Sequence, residues 1–292
     1  MTTHAQAMSY VVASEGRRLI PDQDRMTNPD CATYLALCQA WLDVLFIQRL
    51  GLHEVTIPQD LALAHGLLRG TPVSLRTRRF VGPGFSPLSI ARIQTEQGQV
   101  CSLTVVGLPP TGGGLPILGM DLIALSGALS LVAVDLAPTD ARTWQADCEP
   151  VLLRLAQQTE SCLVPRKRPQ FTVDTFSPRA VIAGARSGSE WSVFCALVEF
   201  LQQASDLWLR SVLREPLCGQ AAHAAEACVL RWLAAEQQNR KEHNALAGIF
   251  GAAFAERYLN QFLFSTNRAG EQSGTTHATN RNECGFTSGG GP

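Results

Sequence analysis

LPILGMDLIALSGALSLVAVDLAP, Leu115 to Pro138, is the most apolar part of the chain, and it carries a carboxylate, Asp121, in its first half. Its uncharged run, Leu122 to Val134, falls short of the roughly 18 residues that a membrane-spanning helix needs. Ser126-Gly127 interrupts the run as a turn between two strands would. The pattern therefore predicts a hairpin whose second strand is Leu129 to Val134. Continuous apolar runs of this length predict strands covered on both faces. Side chains alternate along the first strand, so Asp121 shares a face with Gly119, Ile123 and Leu125, while Met120, Leu122 and Ala124 point the other way. An ionised carboxylate is costly to bury in such a run, so Asp121 is expected to be paired or to hold its proton. A buried acid that keeps its proton at neutral pH is a ready proton donor, which makes Asp121 the candidate catalytic residue. The residues alone leave open that it caps a bulge or pairs with an arginine. Gly119 beside it leaves room for something flat.

Outward from this hairpin, strands and helices segregate. Pro72 to Val81 alternates Val73, Leu75 and Thr77 with Ser74, Arg76 and Arg78, and reads as a strand. Ile90 to Thr95 and Val100 to Leu108 read as a second hairpin joined through Gln97-Gly98. Arg179 to Ala183 is a short strand, Pro58 to Leu68 a loop or short helix, and Val164 to Pro169 a basic linker. Apolar stripes at helical spacing mark Tyr34 to Leu50, Trp144 to Gln158, Trp191 to Leu213 and Ala221 to Gln238. A final helical stretch, Leu246 to Phe264, breaks near Gly251. Consecutive strands with helices before and after them give an α/β (α+β) class, an antiparallel sheet with helices on its faces. Residues 1–30 read as a loose N-terminal extension, 31–266 as a single domain, and 267–292, rich in Gly, Ser, Thr and Asn, as a disordered tail.

Composition narrows the function. The 292 residues are 46% hydrophobic and carry a formal net charge of -1, which argues against a general nucleic-acid binder. The nine cysteines are scattered with no Cys-x-x-Cys pair, as expected of reduced thiols in a reducing compartment. No apolar signal core of roughly 7–15 residues stands near the N-terminus, so a secretory signal is not expected. The glycines of Pro109 to Gly114 (PPTGGG) lead into a strand with no Lys-Ser/Thr pair, so they are not a phosphate cradle. His53, His65, His223 and His243 have neither triad nor metal-ligand spacing, and His223 with Cys228 on one helix reads as packing. There is no Gly-x-Ser-x-Gly elbow of a hydrolase.

Two separated blocks carry a resemblance. Gly107-Leu-Pro-Pro, Leu115-Pro-Ile-Leu-Gly-Met-Asp121 and Ala133-Val-Asp-Leu-Ala-Pro138 form the first. Glu236-Gln-Gln-Asn-Arg-Lys241, Phe250-Gly251 and Ala255-Glu-Arg-Tyr-Leu-Asn-Gln-Phe-Leu-Phe264 form the second. In this order they resemble the ferredoxin-dependent bilin reductases, over about Tyr34 to Phe264, with the phycocyanobilin-forming members most alike. The resemblance implies a three-layer α/β/α sandwich with a central antiparallel sheet. It implies an open-chain tetrapyrrole, biliverdin or a dihydrobiliverdin, between the sheet and the C-terminal helices. It also implies no bound metal, flavin or nicotinamide, with reduced ferredoxin as the external electron donor. Asp121 falls on the family's proton-donating aspartate. Thr104 falls where phycocyanobilin formers have His, Arg92 near an acidic site, and Arg240 where many members carry a second aspartate; Asn239 and Lys241 match. Thr104 can hydrogen-bond a lactam but cannot relay a proton as His does, and Arg240 is too basic to donate one at pH 7.

The resemblance thus gives Asp121 as catalytic and Thr104, Asn239, Arg240, Lys241 and Arg92 as substrate-binding. It implies no metal site, no nucleic acid, no integral membrane segment, and a monomer in the cytoplasm or, in a photosynthetic eukaryote, the plastid stroma. Basic residues at the mouth, Arg240 and Lys241 and less directly Arg179 or Arg186, would meet the propionates. Arg76, Arg78, Arg79 and Arg166-Lys167-Arg168 would offer a docking face to an acidic ferredoxin. A non-catalytic bilin-binding protein and a reductase of linear chlorophyll catabolites are the alternatives the residues leave standing.

Overall fold

The computed structural model describes residues 30–214 and 217–265, so the expected C-terminal tail and all but Asp30 of the expected N-terminal extension lie outside the described residues. The strands are β1 (His53–Glu54), β2 (Leu63–Leu68), β3 (Thr71–Gly82), β4 (Phe85–Thr95), β5 (Val100–Gly107), β6 (Ile117–Leu125), β7 (Ala128–Ala137), β8 (Leu163–Pro165) and β9 (Val181–Ala185). They form one antiparallel sheet in the order β1-β3-β4-β5-β6-β7-β9-β8, with β2 also pairing β3. The hairpin read from Leu115 to Pro138 is β6–β7. Its two-residue turn, Ser126-Gly127, has φ of 49° and 82°. Positive φ at both positions matches the right-handed twist of the flanking strands, and glycine takes the second at no steric cost.

Helices cover both faces. On one lie α1 (Cys31–Leu42, continued by a π-helical turn over Asp43–Gln48), α3 (Glu149–Thr159) and α4 (Glu190–Ser211). On the other lie α5 (Gly219–Glu236), α6 (Arg240–Phe250) and α7 (Ala252–Glu256, continued by a π-helical turn over Arg257–Leu263). The short α2 (Gln59–Ala62) precedes β2. This is the three-layer α/β/α sandwich around an antiparallel sheet. Segment 31–48 is long and apolar enough to cross a membrane by composition alone, with mean hydropathy 1.3. Here Trp41, Leu42 and Phe46 instead sit buried in the core between sheet and α4.

Two segments depart from the sequence reading. Pro58 to Leu68 is a helical turn followed by a strand, and β2 returns along β3 through Arg69-Gly70, both at positive φ. The stretch LAHGLL has no β-branched alternation, so only its neighbour makes it a strand. The basic linker begins as an edge strand, in which Pro165 is tolerated because an edge needs one fewer backbone donor.

The two sheet faces pack differently. Met120, Leu122, Leu103 and Val105 are at most 2% exposed against α1 and α4, the larger core. At its heart Trp208 stacks on Phe85, ring centres 5.1 Å apart, and donates its indole N–H to the Gly84 carbonyl at 3.2 Å. Gly107, which opens the first resemblance block, lies against this aromatic pair: a methyl there would clash with the Phe85 ring edge and meet Leu118 Cβ at 3.2 Å. Gly107→Ala is therefore expected to cost about 1–3 kcal/mol, or roughly 3–10 °C in melting temperature. Calorimetry of the two proteins checks this, and an unchanged transition refutes it.

Candidate active site

The opposite face is looser, and this positions the site. Along β6 and β7 the residues on this side, Gly119, Asp121, Ile123, Leu131 and Ala133, are only half-buried, whereas their strand neighbours are largely sealed. The run expected to be covered on both faces is sealed on one and opens into a crevice on the other. Register aligns three rows across this face. Leu75, Ile93, Ser102, Ile123 and Leu131 form the first; Thr77, Ala91, Thr104, Asp121, Ala133 and Ile182 the second; Arg79, Ser89, Val106, Gly119 and Asp135 the third. Above them α5 and α6 leave two adjoining cavities of about 170 Å³ and about 390 Å³. Thr104, Asp121, Leu131, Phe171, Asn239 and Glu242 line both. Mostly apolar walls with a few converging polar groups are the usual form of a small-molecule site.

Asp121 sits at the junction. The Thr104 hydroxyl donates to its Oδ1 at 3.0 Å. Burial pushes its carboxyl up to about 6, with the Thr104 bond opposing. The expectation that Asp121 keeps its proton at neutral pH thus needs adjustment: at pH 7 a carboxyl of this pKa is protonated in only about a tenth of molecules. A flat ligand laid over it would remove more water and raise it further.

The group that holds a proton at neutral pH is another. Glu242 stands at the third position of α6, whose N-cap is Asn239. Asn239 Oδ1 accepts the Glu242 N–H at 3.4 Å, and Asn239 Nδ2 donates to Glu242 Oε2 at 3.2 Å. Burial first, and then the Asp121 charge, push Glu242 up to about 8, against the Asn239 bond. Glu236, 7% exposed at the end of α5, is raised well above the usual carboxylate range by burial and by Glu242, Asp121 and Asp135. Asp135 is pushed up to about 6 by burial, partly offset by bonds from Ser177. Four carboxyls therefore share one crevice, and their protons leave as a coupled set. The sequence reading missed Glu242, Glu236 and Asp135. The signal for Glu242 was present: Asn239-Arg-Lys-Glu242 has the spacing of a capping box, which starts a helix and fixes where its third residue points.

Of the residues expected to bind substrate, Thr104 and Asn239 line both cavities and Lys241 the larger one. Arg240 is exposed and lines neither. Arg92 is a correction. It pairs in register with Leu103 and so lies on the reverse face, where its guanidinium reaches the Ala32 carbonyl at 3.5 Å; Ala91 is the neighbour of Thr104 in the crevice. One residue of register moves a side chain through the sheet. The docking clusters are corrected too. Arg79 is buried, donating to Ser89 Oγ and the Phe262 carbonyl, and Arg78 pairs with Asp43 and Glu54. Arg168 binds the carbonyls of Ser177, Pro178 and Ala180. Arg179, a candidate for the propionates and not for docking, pairs with Glu149. Arg76, Arg166 and Lys167 stay exposed. Among the described residues, no group of three His, Cys, Asp or Glu is arranged to hold a metal ion.

Residues 42–265 match the family model described as ferredoxin-dependent bilin reductase. The phycocyanobilin:ferredoxin oxidoreductase of Gloeobacter violaceus is 28% identical over 223 residues, 74% of this chain and 83% of that one. The phycoerythrobilin:ferredoxin oxidoreductase of the same organism is 26% identical over 230 residues, 77% of this chain and 92% of that one. The fold is similar to that of tomato phytochromobilin synthase, solved in complex with biliverdin, with a TM-score of 0.66 at 15% identity, covering 79% of this chain and 82% of that one.

Proposed function

The chain belongs to the ferredoxin-dependent bilin reductase family, and from that premise we propose that it reduces biliverdin or a dihydrobiliverdin to a phytobilin in the crevice between β5–β7 and α5–α6. The observation that carries this reading is the placing of Asp121 at the junction of two apolar cavities with a second buried carboxyl, Glu242, on the helix that closes them. Reduced ferredoxin supplies electrons one at a time. Each one-electron step leaves the conjugated pigment more basic, and a carboxyl within reach delivers a proton to it. Asp121, oriented by the Thr104 hydroxyl, is the donor from the sheet. Glu242 holds its proton at neutral pH and supplies what a histidine or a second aspartate would. Lys241 at the edge of the larger cavity takes a propionate. The exposed Arg166 and Lys167 receive the acidic ferredoxin.

The test is anaerobic incubation with biliverdin and a ferredoxin-reducing system, following absorbance and identifying the product. A new, blue-shifted bilin supports the reading. A bound but unchanged spectrum with both biliverdin and a dihydrobiliverdin sinks it in favour of a non-catalytic pigment-binding protein, the role that a site without the usual histidine would fit.

A further inference from the structure

Three arginines gather on the reverse side of the sheet from the crevice. Arg76 and Arg78 on β3 and Arg92 on β4 line a cavity of about 590 Å³ beside α1 and α2, together with Gln39, Ser74 and Gln94. Register sets Arg76 directly opposite Arg92. Like charges that face each other across a strand pair destabilise it. Further along the same row, Leu103, Leu122 and Val132 are at most 1% exposed. The two guanidiniums therefore stand at the margin of the larger core, and nothing in the row between them balances their charge.

Their neighbour shows how this chain neutralises such a group: Arg78 pairs with Asp43 at 3.1 Å and with Glu54 at 2.9 Å. Among the described residues, neither Arg76 nor Arg92 is in an ion pair. Arg76 is exposed and Arg92 half-buried. The Arg92 Nε is sealed, Nη2 reaches the Ala32 carbonyl at 3.5 Å, and Nη1 is left to the cavity. Burial, and after it the Arg76 charge, lower the Arg92 pKa from its ordinary value, and no carboxylate opposes them. A cation drawn partly out of water with no counter-charge is costly. Among the described residues that line this cavity, none is Asp or Glu. Its apolar wall is Ala62 and Leu63, the latter 40% exposed and the cross-strand partner of Arg76.

We propose that this cavity is a second binding site, for the dianionic phosphate of a small organic molecule, whose oxygens accept from Arg76 and from Arg92 Nη1. Residues directly opposite each other on paired strands have Cβ atoms about 4.5–5.5 Å apart, so both guanidiniums reach one tetrahedral anion. Their forks match phosphate oxygens, and two negative charges balance both cations where a single carboxylate would leave one unpaired. Gln39 and Gln94 offer amide donors to the remaining oxygens. The cavity is larger than a phosphate alone requires, and Ala62 with Leu63 gives the organic part an apolar wall. Arg92 lies within a recess and not on a convex face, which favours a small molecule over the acidic surface of a protein. The sheet separates this site from the crevice, so the proposal stands whether or not the crevice takes a bilin.

Calorimetric titration of the full-length protein with phenyl phosphate, at pH 7.5 and constant ionic strength, tests this; the probe is then a dianion. Benzoate, the same ring with one negative charge, is expected to bind roughly tenfold more weakly or worse. Arg76→Gln is expected to weaken phenyl phosphate binding by roughly tenfold or more. Without ligand the same variant should melt no lower than wild type, because it removes one of two facing like charges. Lys241→Gln, in the crevice, is expected to bind phenyl phosphate as wild type does. No binding to the wild type, benzoate binding as tightly, or undiminished binding by Arg76→Gln overturns the site. A loss confined to Lys241→Gln places the phosphate in the crevice and overturns it as well. Should Arg76→Gln fail to fold, Arg76→Lys carries the test: it keeps the charge and loses the fork. Several-fold weaker binding is then expected, and unchanged affinity overturns the proposal.

Discussion

Asp121→Asn is expected to bind biliverdin with near wild-type affinity and to turn it over roughly 10²–10³-fold more slowly, the usual cost of removing a positioned proton donor. The amide is isosteric, and its oxygen still accepts the Thr104 hydroxyl, which donates to Asp121 Oδ1 at 3.0 Å. The fold should be undisturbed, because the tightly packed core lies on the other side of β6, where Met120 and Leu122 are sealed. The amide has no proton to give at any working pH. Electrons can still enter the pigment, so a stalled radical, visible by its absorbance or electron paramagnetic resonance, is expected in place of product. Binding titration, steady-state turnover and the radical signal together decide the point. Turnover within threefold of wild type would remove Asp121 as the donor and leave it a structural acid that merely accepts from Thr104. The pKa of about 6 shapes the experiment: in the free protein most Asp121 is ionised at pH 7, so the proton must be taken up as the pigment seats. Pigment binding should therefore be accompanied by proton uptake from the buffer, and Asp121→Asn should take up less.

How much of this was legible in the sequence follows from what each signal depends on. The β6–β7 hairpin was legible because a long apolar run with Ser126-Gly127 in its middle has few other ways to fold. Alternation then fixed that Asp121 and Gly119 share a face. Which face would be open was not legible: both sides of β6 carry apolar residues, and only the placing of α5 and α6 decides that one side becomes a crevice. β2 was missed because LAHGLL has no pattern of its own and is a strand only by pairing with β3. The resemblance puts Arg92 only near a family acidic position, whereas a strand sends adjacent residues to opposite faces, and Ala91 takes the place in the crevice. By resemblance Arg240 takes the place of the family's second aspartate, and a second carboxyl was not expected. A buried carboxyl does line the crevice two residues later, at Glu242, where the helix started by Asn239 turns its third residue inward. Asp135 lay in plain view within the opening stretch. Its place in the crevice is held by Ser177, distant in sequence, whose N–H it accepts and which no local pattern could join to it.

Glu242→Gln should separate the two readings of that glutamate. If it serves only the capping box, glutamine replaces it at little cost, since its amide oxygen still accepts from Asn239 Nδ2. Turnover would then hold. If it is the crevice's proton reserve, turnover at pH 7.5 should fall tenfold or more, and the alkaline limb of the pH profile, near 8 in the wild type, should disappear. Stability gives a second, independent readout. The Glu242 pKa is raised in the folded state, from about 4.5 to about 8. Its protonated form is thus the one folding favours, and the associated stability is fully present below the unfolded pKa and lost as pH rises through the folded one. Glu236 shifts in the same direction and is coupled to Glu242, so the two act together. The pigment-free wild type should therefore melt lower at pH 8.5 than at pH 5, by on the order of 10 °C. Glu242→Gln should flatten that slope twice over: it removes one titrating group and relieves the repulsion that raises Glu236. A slope unchanged by the substitution, together with unchanged turnover, would return Glu242 to the role of a helix cap and leave Asp121 as the crevice's sole donor.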